Sequence, residues 1–286
     1  MFAQRRFDVE QAEALAVSLA ELAVGALLEE ARLTPKPGLI DRRGSGAHHD
    51  MDLALMEKSA HALEVTFYRM ALAGWMGRPN VALRRQIGAL GRQGEKEMMQ
   101  ATGGINTHRG AIWSLGLMAT AAAMHQGQAS AAALVSSAAA LARIDDTACP
   151  PVFSKGRYVC NRYHVPGARE EAQKGFPHVM KALPYLRRLK RQPLSIDARQ
   201  TAQINALMAV MAELPDTCVL SRGGMDALTM MHAGAKEVLA GGGFGTEAGH
   251  QAYDRLETNM MAANVSPGGA ADLLAAAIFL DSMTEE

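Results

Sequence analysis

Cysteine is scarce in this chain of 286 residues, and the three present, Cys149, Cys160 and Cys218, follow no regular spacing. An odd number without a framework excludes a small disulfide-stapled secreted fold and points to a reducing compartment. Net charge is absent as well, since lysine plus arginine and aspartate plus glutamate each count 29. With no overall field the chain is not expected to bind nucleic acid or an anionic membrane, and any anion must be met by cations gathered locally. Residues 1–10 carry charges and no apolar signal core, and no run approaches a bilayer span, so a cytoplasmic protein is expected. Neither a P-loop nor a Gly-x-Gly-x-x-Gly following a strand is present, which leaves the usual nucleotide folds unsupported. A fixed-period repeat is also missing, which argues against a solenoid.

What is there is helical periodicity. Between Val9 and Arg32 apolar residues recur at helical spacing with glutamates opposite, until Thr34-Pro35-Lys36-Pro37-Gly38 stops the pattern. Further helices are expected from Met51 to Trp75 with Asp50 as N-cap, from Val81 to Met99, from an N-cap at Thr107 to about His125, and from Ala129 to Ala142. Arg143 to Pro166 reads as a long loop, with the alternation from Val152 to Val159 suggesting a short hairpin. Helices follow from Pro177 to a basic run (Arg187, Arg188, Lys190, Arg191), from Ile196 to Leu214, and after Ser266 as N-cap with Pro267 at the first helical position. The expected fold is all-α, a single compact domain over residues 1–286 with about ten helices. Its active site would form where helix ends and loops converge.

The polar and glycine chemistry gathers at those helix ends. In Ala101 to Gly110, Gly103 and Gly104 let backbone approach a ligand, and Asn106, Thr107, His108 and Arg109 surround the start of a helix, where phosphate is the natural guest. An ordinary capped helix would look similar. The linker after the first helix offers Lys36 and Arg42 as phosphate-binding cations and His48, Asp50 and Asp52 as metal ligands or acid/base groups, or else it is a solvated loop. Glu95 and Glu97 oppose the dipole at a helix C-terminus unless a cation or metal compensates. Arg169, Glu170 and Glu171 point in different directions from adjacent helical positions, so at most two share one site. Arg222, next to Gly223 and Gly224, repeats the pairing of a cation with flexible backbone, and Ser266, Gly268, Gly269 and Asp272 open the last helix. Cys149, Cys160 and His164 lack a Cys-x-x-Cys pair and an obvious fourth ligand, which speaks against zinc.

Five segments, taken in order, resemble the triphosphoribosyl-dephospho-coenzyme A synthase family: Thr34 to Gly38, Gly46 to Asp52, Thr102 to Gly110, Gly167 to Ala172 and Ser266 to Ala275. The resemblance spans nearly the whole chain. Arg109 stands where the family often has lysine, Ala270 where it has serine, and Cys218 where asparagine is expected.

The resemblance implies that the 2′-hydroxyl of 3′-dephospho-coenzyme A attacks the ribose C1 of ATP, adenine leaves, and the triphosphate stays on the transferred ribose. The product is the prosthetic-group precursor of the acyl carrier protein of malonate decarboxylase or citrate lyase. Overall likeness leans to the malonate decarboxylase branch, and a downstream transferase and acyl carrier protein are the expected partners. The family's α-linked product implies one inverting displacement. Breaking a C–N glycosidic bond through an oxocarbenium-like state needs a base, donors for the leaving group and charge that steadies the cation. The expected base is Glu170, with Glu171, Asp50 and His48 as further acid/base candidates. The expected triphosphate ligands are Lys36, Arg42, Gly103, Gly104, Asn106, Thr107, His108, Arg109, Arg169, Arg222, Ser266, Gly268 and Gly269. Magnesium is expected among Glu95, Asp50, Asp52, Glu170 and Asp272. Two readings stand beside this one: a magnesium-dependent helical hydrolase of ADP-ribosyl or related N-glycosidic bonds, and a helical nucleotide-binding or scaffold protein. The residues leave a homodimer open.

Overall fold

The computed structural model describes residues 2–150, 154–187 and 196–284, and the side chains of residues 2–7 and 196 are not among those described. Thirteen α-helices occur among the described residues, with no strand beyond an isolated bridge between Asp41 and Gly44. They are α1 (Phe2–Arg32), α2 (Leu53–Ala62), α3 (Glu64–Gly74), α4 (Val81–Ala101), α5 (Arg109–Met124), α6 (Ala131–Arg143), α7 (Lys155–Tyr163), α8 (Ala168–Gln173), α9 (Pro177–Arg187), α10 (Ile196–Met211), α11 (Thr217–Ala240), α12 (Glu247–Ala262) and α13 (Gly268–Met283).

Helices α5 and α13 form the centre because they are apolar all round and must be enclosed on every side. Leu115, Met118 and Ala119 of α5 and Leu274, Ala277 and Phe279 of α13 are fully buried. Helices α1, α3, α9 and α10 pack around this pair. Helix α1 contributes the stripe Ala16, Leu19, Ala23 and Leu27. Contrary to the expectation that no run approaches a bilayer span, Asp8–Arg32 is long and apolar enough to cross a membrane. Here its stripe packs into the hydrophobic core while Glu10, Glu13 and Glu21 stay exposed, the pattern of a core helix.

Several expected boundaries move. Asp52, not Asp50, caps the second helix by accepting from the Leu55 N–H, and the Leu63 N–H tightens onto Ala60 O, which divides the expected long helix into α2 and α3. The expected hairpin is corrected to α7, opened by Ser154, whose Oγ accepts from the Arg157 N–H; the hairpin's first two residues, 152 and 153, lie outside the described residues. Of the basic run only Arg187 is described; its guanidinium donates to Thr284 Oγ1 and so ties α9 to the end of α13. His108 occupies the N-cap position of α5 instead of Thr107, and Pro267 that of α13 instead of Ser266.

Candidate active site

A cleft opens where the first turns of several helices meet. Gly110 of α5, Ala168 of α8 with its N-cap Gly167, Thr217 of α11 and Gly269 of α13 line it, with Phe176 just ahead of α9. Trp113, Leu214, Pro215 and Leu273 supply apolar walls, and Glu171, Asp216 and Asp272 supply carboxylates. Its enclosed volume is small, about 60 Å³, well below the roughly 300–1,000 Å³ of small-molecule sites, so it seats only part of a nucleotide. Helix N-termini present unpaired N–H groups and partial positive charge, so a cleft ringed by them suits an anion.

The three carboxylates differ in how tightly they are held. Asp216 is fully buried; its Oδ1 accepts from the Cys218 N–H at 2.8 Å and the Val219 N–H at 3.3 Å, and its Oδ2 from the Ala270 N–H at 2.9 Å. It therefore caps α11 and clamps the start of α13 to it. Burial raises its proton affinity against the pull of those N–H groups. Glu171, also buried, accepts from the His178 N–H at 2.9 Å and lies 2.7 Å from His178 Nδ1, so it fixes the start of α9. Asp272 is bound far less: among the described residues only the Ala111 N–H pulls its proton affinity down. Burial, then the negative charges of Glu30 and Asp216, hold it well above the usual carboxylate range. Its place against α5 depends on Gly110, where a Cβ would come within 2.0 Å of Asp272 Oδ2.

The remaining predicted residues divide by what they touch. Lys36 is buried, with Nζ donating to Glu30 Oε1 and Glu30 O, each at 2.6 Å. It is thus a charge beneath the site already engaged by a carboxylate. Arg109 pairs with Glu95 at 3.1 Å, Arg169 with Asp145 at 2.5 Å on the surface, and Arg42 is exposed. Glu170 caps its own helix, its Oε2 accepting from the Gly167 N–H at 2.9 Å, and it does not line the cleft. Gly103 and Gly104 adopt φ of +66° and +94° with open space around them, so the turn itself requires glycine there. Asn106 Oδ1 accepts from the Arg109 N–H at 3.3 Å, and Thr107 Oγ1 lies 2.6 Å from Ser59 Oγ.

Two histidines change character. Arg222 donates to His48 Nδ1 at 3.0 Å, and a guanidinium can only donate; Nδ1 therefore accepts, and Nε2 carries the proton towards Ser266 Oγ at 2.9 Å. Burial, then the Arg222 charge, lowers His48 below its ordinary value. In this arrangement His48 is a fixed donor that orients Ser266, which corrects its reading as an acid/base group. His108 is likewise not a cation for phosphate. It is buried, with Nδ1 2.8 Å from Ser59 Oγ, and desolvation followed by the nearby Lys36 charge lowers its pKa to about 4.

This depression makes stability depend on pH. With a folded value of about 4 against 6.5 unfolded, His108 contributes full stability above pH 6.5 and loses it as the pH falls towards 4, because the unfolded chain takes up the proton first. At about 1.4 kcal/mol per pH unit the loss is about 2 kcal/mol by pH 5. Urea unfolding at pH 7 and pH 5 should show it, and His108→Gln should remove that part of the difference. An unchanged pH dependence in the variant would assign the acid sensitivity elsewhere.

For metals, no group of three or more His, Cys, Asp or Glu side chains able to hold an ion occurs among the described residues. The expected magnesium set is not assembled: Asp52 caps α2, Glu95 pairs with Arg109, Glu170 caps α8, Asp50 lies 3.8 Å from His48 on the surface, and Asp272 is in the cleft. The donor set among the described residues does not fit a resident metal. Sequence reasoning missed Asp216, Trp113 and Phe176 as cleft residues. Pro215-Asp216-Thr217 signalled only a helix boundary.

Residues 16–286 match the family model described as ATP:dephospho-CoA triphosphoribosyl transferase. The chain belongs to this family. It is 54% identical to the 2-(5''-triphosphoribosyl)-3'-dephosphocoenzyme-A synthase of Klebsiella pneumoniae over 92% of this chain and 93% of that protein. It is also 52% identical to a probable synthase of the same name from Stutzerimonas stutzeri, over 96% of this chain and 94% of the relative. A third, from Azotobacter vinelandii, is 50% identical over 94% and 92% respectively. No solved structure matches the chain.

Proposed function

We propose that this enzyme transfers the 5-triphosphoribosyl group of ATP to the 2′-hydroxyl of 3′-dephospho-coenzyme A and releases adenine. The observation that carries the reading is 54% identity, over nearly the whole chain, to a synthase named for this product. The carboxylates and helix starts of the cleft support this reading. We assign the base to Asp272 in place of Glu170, because it is the least tightly held carboxylate in the cleft and its raised proton affinity brings it nearer a base poised at working pH. In the step, the ribose C1–N bond of ATP breaks with its electron pair leaving on adenine, and a bond forms from C1 to the 2′-oxygen. The hydroxyl proton passes to Asp272 and balances the one that adenine finally acquires. The developing positive charge on the ribose is steadied by the carboxylates of the cleft.

We assign the triphosphate to the first turns of α5 and α13, with Ser266, Gly268 and Gly269 on one side and Arg109, Arg42 and Arg222 within the same group of elements. Arg109 would exchange Glu95 for phosphate, a bidentate match for its guanidinium. Lys36 backs the site electrostatically. Magnesium enters as part of the ATP substrate, carried mainly by the phosphates. For the product's destination we propose the carrier protein of malonate decarboxylase. We place the enzyme in the cytoplasm on its free cysteines, which suit a reducing compartment.

The test is adenine release from ATP, followed by chromatography with and without 3′-dephospho-coenzyme A. Release is expected only when both nucleotides are present. Release from ATP alone would favour the hydrolase, and no release under any metal would overturn the reading.

A further inference from the structure

A second cavity lies behind the first, between α4, α5 and the segment after α6. Trp113 lines both. Its Nε1 donates to Ala168 O at 3.1 Å, which holds the indole at the edge that the two share, and the guanidinium of Arg84 lies over its ring at 5.2 Å. Arg84 is 9% exposed, and its Nε has no hydrogen-bond partner among the described residues. A buried donor of this kind costs free energy unless a ligand supplies an acceptor. The cavity's charges balance: Arg84 and Arg92 face Asp146 and Glu95, with Arg92 paired to Asp146 at 2.6 Å. A phosphate would find no excess positive charge there. Its remaining walls are apolar, and Gly88 and Gly91 leave the α4 side without side chains; a Cβ at Gly91 would meet only Ile112 Cγ2, at 3.8 Å.

We propose that this cavity is the subsite for a neutral purine, the adenine of the acceptor nucleotide. The proposal rests on the transfer reaction above and extends it. Two adenines meet in that reaction. One is cut loose in the catalytic cleft. The other stays joined to the ribose whose 2′-hydroxyl attacks, so it must lie next to the cleft, and this cavity is the neighbour that shares Trp113 with it. A purine ring nitrogen accepts the Arg84 Nε–H, and its flat faces pack on Ile87, Ile112 and Met70.

The experiment fills the cavity with Gly91→Leu and measures steady-state kinetics, with calorimetry of 3′-dephospho-coenzyme A and of 4′-phosphopantetheine, which lacks the adenosine. Expected is a rise of about tenfold or more in KM for 3′-dephospho-coenzyme A, an unchanged KM for ATP, and weakened binding of the whole nucleotide but not of phosphopantetheine. Arg84→Met, which removes the donor and keeps the aliphatic stem, should show the same selectivity, so a folding failure in one variant leaves the other decisive. Equal weakening of phosphopantetheine would give the cavity to the arm and overturn the proposal. A rise confined to KM for ATP, or no change in either KM, would also overturn it. Wild-type adenine release that depends on 3′-dephospho-coenzyme A tests the parent reading separately.

Discussion

Asp272→Asn should abolish transfer while both nucleotides still bind. The substitution keeps the shape of the side chain and removes its basicity, and a positioned base contributes about 10²–10⁴ to rate. The expected result is a fall in kcat of that order, with calorimetric affinities for ATP and 3′-dephospho-coenzyme A changed by less than about threefold, well under 1 kcal/mol. Gly110→Ala gives a companion result. The added Cβ would fall 2.0 Å from Asp272 Oδ2, so the carboxylate must move and kcat must drop without removal of any chemical group. Glu170→Gln should leave turnover near normal, since Glu170 serves as a helix cap. Normal turnover in Asp272→Asn, or its collapse in Glu170→Gln, would return the role to Glu170.

Asp216→Ala should produce the largest loss of stability among the cleft residues. It leaves the N–H groups of Cys218, Val219 and Ala270 without their acceptor inside the protein and unclamps α11 from α13. Each buried unsatisfied donor costs about 1–3 kcal/mol, offset in part because a desolvated carboxylate is removed, so a net loss of about 3 kcal/mol is expected from denaturant unfolding. Asp216→Asn keeps one acceptor oxygen and should lose roughly half as much. Equal losses from the two variants would show that the charge, and not the hydrogen-bond pattern, holds the clamp.

Much of this protein is written locally. The stop after α1 follows from Pro35 and Pro37, which cannot continue a helix, and the central position of α13 follows from a segment apolar on every face. The gathering of glycine and polar residues at helix starts, where the candidate cleft lies, was equally legible in the chain itself. What failed locally were choices between near-equivalent neighbours. Asp50 and Asp52 have the same capping chemistry, and only the path of the loop decides which faces the Leu55 N–H and which lies beside His48.

The charge state and use of each polar group were decided by tertiary structure alone. Lys36 reads as a phosphate ligand until Glu30, on the preceding helix, is seen to occupy its ammonium. His108 reads as a cation until burial makes it neutral. Glu170 and Glu171 are indistinguishable in sequence, yet one caps its own helix and the other reaches the start of α9. Asp272 gains its raised proton affinity first from burial and then from Glu30 and Asp216, residues distant in the chain, and its room from the missing side chain of Gly110. Desolvation and Coulomb interactions depend on separation in space, which local residue patterns do not encode.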